Sequence, residues 1–267
     1  MFLKRMNNLQ ESLKARYKIF KSKHFEYFPE GQYLKRLNGI HKGSRCFIIG
    51  NGPSLSASDL NKIHKHNEIS FAFNRIYYFL TQTSWVPTYY ISQDYKMLQN
   101  CSNEVREMPA GVKLIPAELK WYYGIDVKDA HYFHIENSEI NNKPLFSSNI
   151  AQKVINSKTV VFSAIQFAVY MGIKEIYLIG VDHHFHTSMN SNGEIVVDPN
   201  AKDYFTDEYN KDKDDLYIPN TDLSTLTYMA AKEYTDAHGI KIYNATRGGR
   251  LEVFPRVDFD SLFNNLI

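Results

Sequence analysis

Short apolar runs alternate with helix-like stretches along most of the chain. Residues 46–49, 69–73, 88–92, 112–115, 132–135, 176–180 and 240–243 have the length and β-branched or aromatic content of buried strands. Strands separated by helical segments predict an α/β fold with a mostly parallel sheet covered on both faces. The run 159–171 is apolar nearly all round, as a buried helix would be, and Gly172 follows where its end needs a left-handed residue. A further helix is expected over 222–238, capped by Thr221 or Asn220.

Two segments break this alternation. Near the amino terminus, Leu3, Met6, Leu9, Leu13, Tyr17 and Phe20 recur every three or four residues among seven Lys and Arg side chains. This spacing predicts a basic amphipathic helix. It suits an anionic membrane surface, a second subunit of a homo-oligomer, or the chain's own domain. Pro29-Glu30-Gly31 ends it, so the expected organisation is a basic helical segment over 1–38 and one domain over 39–267. The second segment, 198–215, holds seven acidic residues, three lysines and three aromatics without periodicity, and is expected to be a mobile lid.

Composition narrows the class. With 267 residues, 43% apolar and 14% aromatic, the chain can bury a full core and does not read as disordered. Two cysteines, Cys46 and Cys101, supply neither a disulfide framework nor a zinc set, which suits a reducing compartment. With no long apolar run and no secretion-type leader, a cytoplasmic protein is expected, peripheral on the inner membrane face if the helix binds there. The net charge of +2 conceals a split: residues 1–45 hold 11 Lys/Arg and 3 Asp/Glu, a net +8, and the remainder is net −6. Basic residues outside an acidic body argue against nucleic acid as a partner.

Polar residues cluster just after the predicted strands, where open parallel sheets bind ligands. After the first comes Gly50-Asn51-Gly52-Pro53-Ser54, followed by a capping-box pattern from Ser56 to Asp59. Glycines allow close backbone approach and a helix start favours phosphate, so a nucleotide suits this turn as well as a plain strand-to-helix connection does. The pattern is neither a dinucleotide fingerprint nor a P-loop. Asn74-Arg75 and Ser92-Gln93-Asp94 follow the next two strands; the asparagine suits a base or sugar, the arginine a phosphate, and Asp94 a metal or sugar hydroxyl. Asp182, His183, His184 and His186 follow another strand and suit a general base, a polar wall or a metal. Thr246-Arg247-Gly248-Gly249-Arg250 follows the last, where the arginines close over an anion or lie in solvent.

In order and spacing, these residues resemble two related groups. The stretches 47–55, 73–77, 87–94, 172–182 and 244–254 are similar to domain-of-unknown-function family 115, also called 6-hydroxymethylpterin diphosphokinase-like, and to the bacterial sialyltransferases of glycosyltransferase family 42. The sialyltransferase resemblance implies a Rossmann-like domain that binds a CMP-activated sugar without a metal. It places Asn51 and Asn74 on donor-binding asparagines, and Asn220-Thr221-Asp222 just after the catalytic histidine. That histidine's position is Tyr217 here, and a donor-contacting Thr-Ser-Gly becomes Thr159-Val160-Val161. Asp94 lies where those enzymes carry an asparagine.

The resulting expectation is a glycosyltransferase of surface polysaccharide or lipopolysaccharide synthesis, with a nucleotide-activated sugar as donor and a glycan or lipid-linked acceptor. His186 or His183 would be the base, Tyr217 would assist the leaving group, and Asn51 and Arg247 would contact the donor. The diphosphokinase resemblance implies the alternative, pyrophosphate transfer from ATP with Mg2+ on Asp94 and Asp182. A third expectation is a non-catalytic nucleotide-binding subunit.

Overall fold

The structure is a computed structural model that describes residues 2–210 and 217–264, with backbone alone for 2–9 and 210. Seven strands form one sheet: β1 (Arg45–Ile49), β2 (Ile69–Phe73), β3 (Tyr89–Ile91), β4 (Val112–Pro116), β5 (Ala130–Phe133), β6 (Glu175–Ile179) and β7 (Lys241–Asn244). Every pairing is parallel, and the spatial order is 7-6-1-2-3-4-5. The four middle and C-terminal positions of β1, β2, β4 and β6 are buried, as a sheet covered on both faces requires. This is the expected Rossmann-like α/β class.

Among the described residues seven α-helices accompany the sheet: α1 (Phe2–Lys23), α2 (Pro29–Lys35), α3 (Ala57–Lys65), α4 (Tyr95–Glu107), α5 (Ala117–Tyr123), α6 (Val160–Tyr170) and α7 (Thr221–Ala237). Their starts follow the side chains: Ser56, Asp94, Thr159 and Asn220 cap α3, α4, α6 and α7 by accepting from backbone N–H groups. After α6, Gly172 takes φ +87, and the 39–43 segment hydrogen-bonds to the carbonyls of Tyr170, Met171 and Gly172. The approach to β1 thereby satisfies carbonyls that a helix end leaves open.

From β1 the chain steps outward to β5, then returns across β1 to place β6 on the other side. Crossovers of the usual right hand on opposite sides of that reversal would put α3 and α4 on one face and α7 on the other, where α6 packs beside it. The boundary between β1 and β6 is therefore the topological switch point, the usual ligand site of such sheets.

Four features bear on the sequence pattern. The expected strand 132–135 ends at Phe133. Ile135–Asn137 instead pairs with Val154–Asn156 in a separate parallel ladder, because the His134 carbonyl accepts from Val154 N while its ring lies 2.6 Å from Glu118. Phe25, Leu34 and Leu37 belong to the main core, so packing does not break at residue 38. Helix α1 is present as the basic helix, with Leu13, Tyr17 and Phe20 more than half exposed. The 198–215 segment is seated over the site as far as it is described: Ala201 and Tyr209 are buried, and Phe205 N donates to Asn51 O. Residues 211–215 of that segment lie outside the described residues.

Candidate functional site

The carboxyl ends of the strands open into a cavity of about 900 Å³. Its floor is the switch point, where the loops after β1 and β6 are joined by backbone hydrogen bonds from Gly50 N to Ile179 O and Gly52 N to Gly180 O, both 2.8 Å. A side chain at Gly50 would put its Cβ 2.8 Å from the Gly180 carbonyl carbon, and one at Gly52 would reach 2.7 Å from the Asp182 carboxyl carbon. The glycines are needed for the approach of one loop to the other. Asp182, nearly buried, accepts from Ser54 Oγ at 2.8 Å. Burial raises its carboxyl above the usual range, opposed by the bonds from Ser54.

Asn51 and Asn74 line the wall beside this floor. Asn51 Nδ2 donates to Phe73 O and to the Tyr209 hydroxyl, both at 3.1 Å, while its Oδ1 is buried without a partner. Asn74 holds a left-handed φ of +49 and accepts from Ser92 Oγ. Asp94 also lines the cavity; its Oδ1 accepts from Met97 N, and burial raises its carboxyl. Tyr204 and Tyr209 stack at 3.7 Å and close this side from the 198–210 segment.

Among the described residues two histidines face the cavity, His183 and His184, of which only His183 was expected as the base. His183, at φ +53, bonds through Nε2 to Thr225 Oγ1 at 2.8 Å. That hydroxyl gives its proton to Thr221 O, so the network assigns the hydrogen to His183 Nε2 and leaves Nδ1 basic. Burial lowers this histidine's pKa, opposed by Asp222. His184 bonds through Nε2 to Asp198 Oδ2 at 2.8 Å, a histidine oriented by a carboxylate. The imidazole holds the Asp198 carboxyl below its usual range.

Several expected site residues serve elsewhere. His186 is outside the cavity lining; its backbone N donates to Asp203 Oδ1 and its Nδ1 meets Thr187 Oγ1. Arg247 ion-pairs with Asp59 and Asp260, each at 2.9 Å, and does not reach the cavity. Arg75 is buried, donating to Tyr209 O, and so supports the 198–210 segment from beneath. Thr246 accepts from Val181 N under the β6 loop, and Pro53 and Ser54 sit behind the floor. Asn220 and Thr159 line the cavity as caps, the former also donating to Asn190 O. Tyr217 stands exposed at the mouth beside Tyr95, its hydroxyl pushed up to about 12 by desolvation and the Tyr95 hydroxyl.

The amide wall of Gln93, Asn137 and Asn156 was only one-third visible beforehand. Gln93 follows a predicted strand, whereas Asn137 and Asn156 end a short ladder of which only Ile135 lies in a predicted strand. Among the described residues the lining carries four carboxylates, one lysine (Lys158) and no arginine. No group of three His, Cys, Asp or Glu side chains suited to a metal occurs among them.

No curated protein matches the chain. Among solved structures, it is similar to a MAf glycosyltransferase from Magnetospirillum magneticum AMB-1, with 15% identity, a TM-score of 0.49 and 87% of this chain covered. The chain spans only 38% of that protein. It is also similar to the sialyltransferase CstII from Campylobacter jejuni in complex with a substrate analogue, cytidine-5'-monophosphate, with 18% identity, a TM-score of 0.46, and 81% of this chain and 85% of that one covered. Residues 22–188 match the model of a single family, more than half of the chain, and the protein belongs to the 6-hydroxymethylpterin diphosphokinase MptE-like family.

Proposed function

We propose that this chain is a transferase that binds a nucleotide-activated donor at the switch point and passes a glycosyl group to an acceptor hydroxyl. The carrying observation is the fused Gly50–Gly52 and Gly180–Asp182 floor, opening into a cavity whose only lysine or arginine, among the described residues, is Lys158. A triphosphate would face Asp94, Glu118, Asp182 and Asp203 with little counter-charge, whereas a sugar held through one phosphate, as in a CMP-linked donor, demands less. Lys158 and the first turn of α6 suit that phosphate. Asn51 Oδ1 is a buried acceptor for a ribose hydroxyl or base amino group.

In this reading the acceptor oxygen attacks the anomeric carbon and the bond from that carbon to the phosphate oxygen breaks. The electron pair leaves with the nucleotide phosphate, and His184 Nδ1 takes the acceptor proton while Asp198 stabilises the imidazolium. His183 is the second basic group within the cavity. Thermal-shift measurements with CMP, UDP, GDP and ATP, each with and without magnesium, test the donor. Stabilisation by CMP without magnesium is expected, about 2.7 kcal/mol at a hundredfold excess over Kd. Stabilisation by ATP and magnesium alone would overturn it.

That second outcome belongs to the activity named in the family's description, pyrophosphate transfer from ATP. Asp94 and Asp182 both line the cavity, and each has one carboxylate oxygen not engaged by Met97 N or Ser54 Oγ. Magnesium commonly uses one or two carboxylates together with substrate phosphates, so these residues fit the ion in company with a bound nucleotide. There the two aspartates would orient the phosphates that the ion neutralises.

The same proposal places the protein at an anionic membrane surface, near lipid-linked acceptors, through α1. Exposed Leu13, Tyr17 and Phe20 lie beside basic residues on a helix with seven Lys/Arg and one Glu, whose like charge opposes self-pairing. No helix among the described residues is long and apolar enough to cross a membrane. Co-sedimentation with phosphatidylglycerol vesicles should be lost on removing residues 2–23; unchanged binding would refute the assignment.

A further inference from the structure

A second cavity of about 650 Å³ continues from the first and shares Asn137, Asn156, Ser157 and Lys158 with it. Among the described residues Ser138 and Glu139 complete its lining, so no apolar side chain of theirs faces it and its one acid is balanced by one lysine. The amides along the shared wall run in one direction. Ser163 Oγ donates to Gln93 Oε1, Gln93 Nε2 to Asn156 Oδ1, and Asn156 Nδ2 to Asn137 Oδ1, at 2.8, 3.3 and 2.9 Å. The relay ends on Asn137, whose Nδ2 keeps both hydrogens for a ligand, and each bond polarises the next. Beside it Thr227 passes its proton to Leu223 O, so Ser157 Oγ donates to Thr227 and presents its lone pairs. Donors and acceptors alternate on a surface without net charge.

We infer that this polar annex is the acceptor subsite for an oligosaccharide, a polyhydroxylated chain longer than one sugar ring, leading away from the reacting centre. Hydroxyl groups both donate and accept, which is what the Asn137 amide and Ser157 oxygen require, whereas a phosphate or peptide carboxylate would meet only Lys158 as a cation. A ligand that fills the annex and still reaches the cavity floor spans two joined spaces. The inference rests on the glycosyl-transfer reading and adds the length and charge class of the acceptor.

An array of neutral and acidic oligosaccharides, probed with the full chain and with Asn137→Ala and Ser157→Ala, tests it alongside the nucleotide thermal-shift panel. Asn137 is exposed, so its truncation should leave folding intact. Expected is retention of tri- or longer saccharides over monosaccharides, about tenfold weaker in each variant, with nucleotide stabilisation unchanged. Equal glycan binding by wild type and both variants, or no glycan retained by the wild type, would overturn the annex while leaving a positive nucleotide result standing. Glycan binding lost in the variants without any nucleotide response would instead remove the donor reading and keep the annex.

Discussion

Replacing Gly50 with alanine tests whether the loops after β1 and β6 are one rigid floor. Its Cβ would lie 2.8 Å from the Gly180 carbonyl carbon and 3.0 Å from Val181 Cγ2, against a comfortable carbon separation of 3.5–4.0 Å. Backbone would have to retreat by about 1 Å, and overpacking of that kind costs about 2–3 kcal/mol. For a chain of this size that is a fall in Tm of roughly 4–12 °C. Gly248→Ala is the control: its φ is +73 but nothing lies within 4 Å of the new Cβ, so only left-handed strain of about 1 kcal/mol is expected. Gly52→Ala separates fold from site: its Cβ would meet chiefly the Asp182 carboxyl, which can swing away at the expense of its bond from Ser54, and would press on backbone only at the Gly180 carbonyl oxygen, 2.8 Å away. It should melt closer to wild type than Gly50→Ala yet bind the stabilising nucleotide at least about tenfold more weakly, a difference of about 1.4 kcal/mol. Scanning calorimetry and titration calorimetry read the two quantities. If Gly50→Ala melted with Gly248→Ala and bound nucleotide normally, the fused floor would be refuted.

Three further outcomes follow from the same geometry. Arg247→Ala should lose about 1–2 kcal/mol in urea denaturation by leaving the buried Asp59 carboxylate without this partner, while nucleotide affinity stays within about twofold; a tenfold loss of affinity would place Arg247 on the donor after all. His41, His131 and His183 all sit below the ordinary histidine value because of burial, so the unfolded chain binds protons more readily and stability rises with pH up to about 6.5. Stability should therefore fall as pH drops below 6.5 through the folded values, and His183→Asn, which tolerates the same left-handed backbone, should flatten that limb in urea titrations from pH 7 to 5; an unchanged limb would refute the burial argument. Transfer activity should fall at least about a hundredfold in His184→Ala and be kept in His186→Ala, as single-turnover assays with the identified donor would show, and the reverse would reassign the base.

Much of the fold was legible because its signals are local. Apolar runs of strand length marked every strand of the main sheet, and Ser56, Asn220 and Gly172 announced helix ends through backbone chemistry within a few residues. The floor of the site was legible in part, since Gly50-Asn51-Gly52 and Asp182 follow strands that the pattern identifies. How the 198–215 segment is seated in its described part was not legible. Composition marks it as polar, but Tyr204, Phe205 and Tyr209 carry enough apolar area to seat it on Phe79 and the Asn51 loop.

What sequence alone determined here is the alternation of elements, their caps and the ends of strands at which chemistry would gather. The tertiary structure decided which polar side chains converge there. His184 faces the cavity and His186 does not because Asp198 holds one and the backbone turns the other toward Thr187. Arg247 is spent on Asp59 and Asp260, residues nearly two hundred positions earlier and thirteen later, a pairing no local pattern encodes. The return of the chain across β1 is the root of both results. Strand order sets which loops become neighbours, and it is fixed by long-range packing, whereas hydrophobic periodicity reports only on backbone within a few residues.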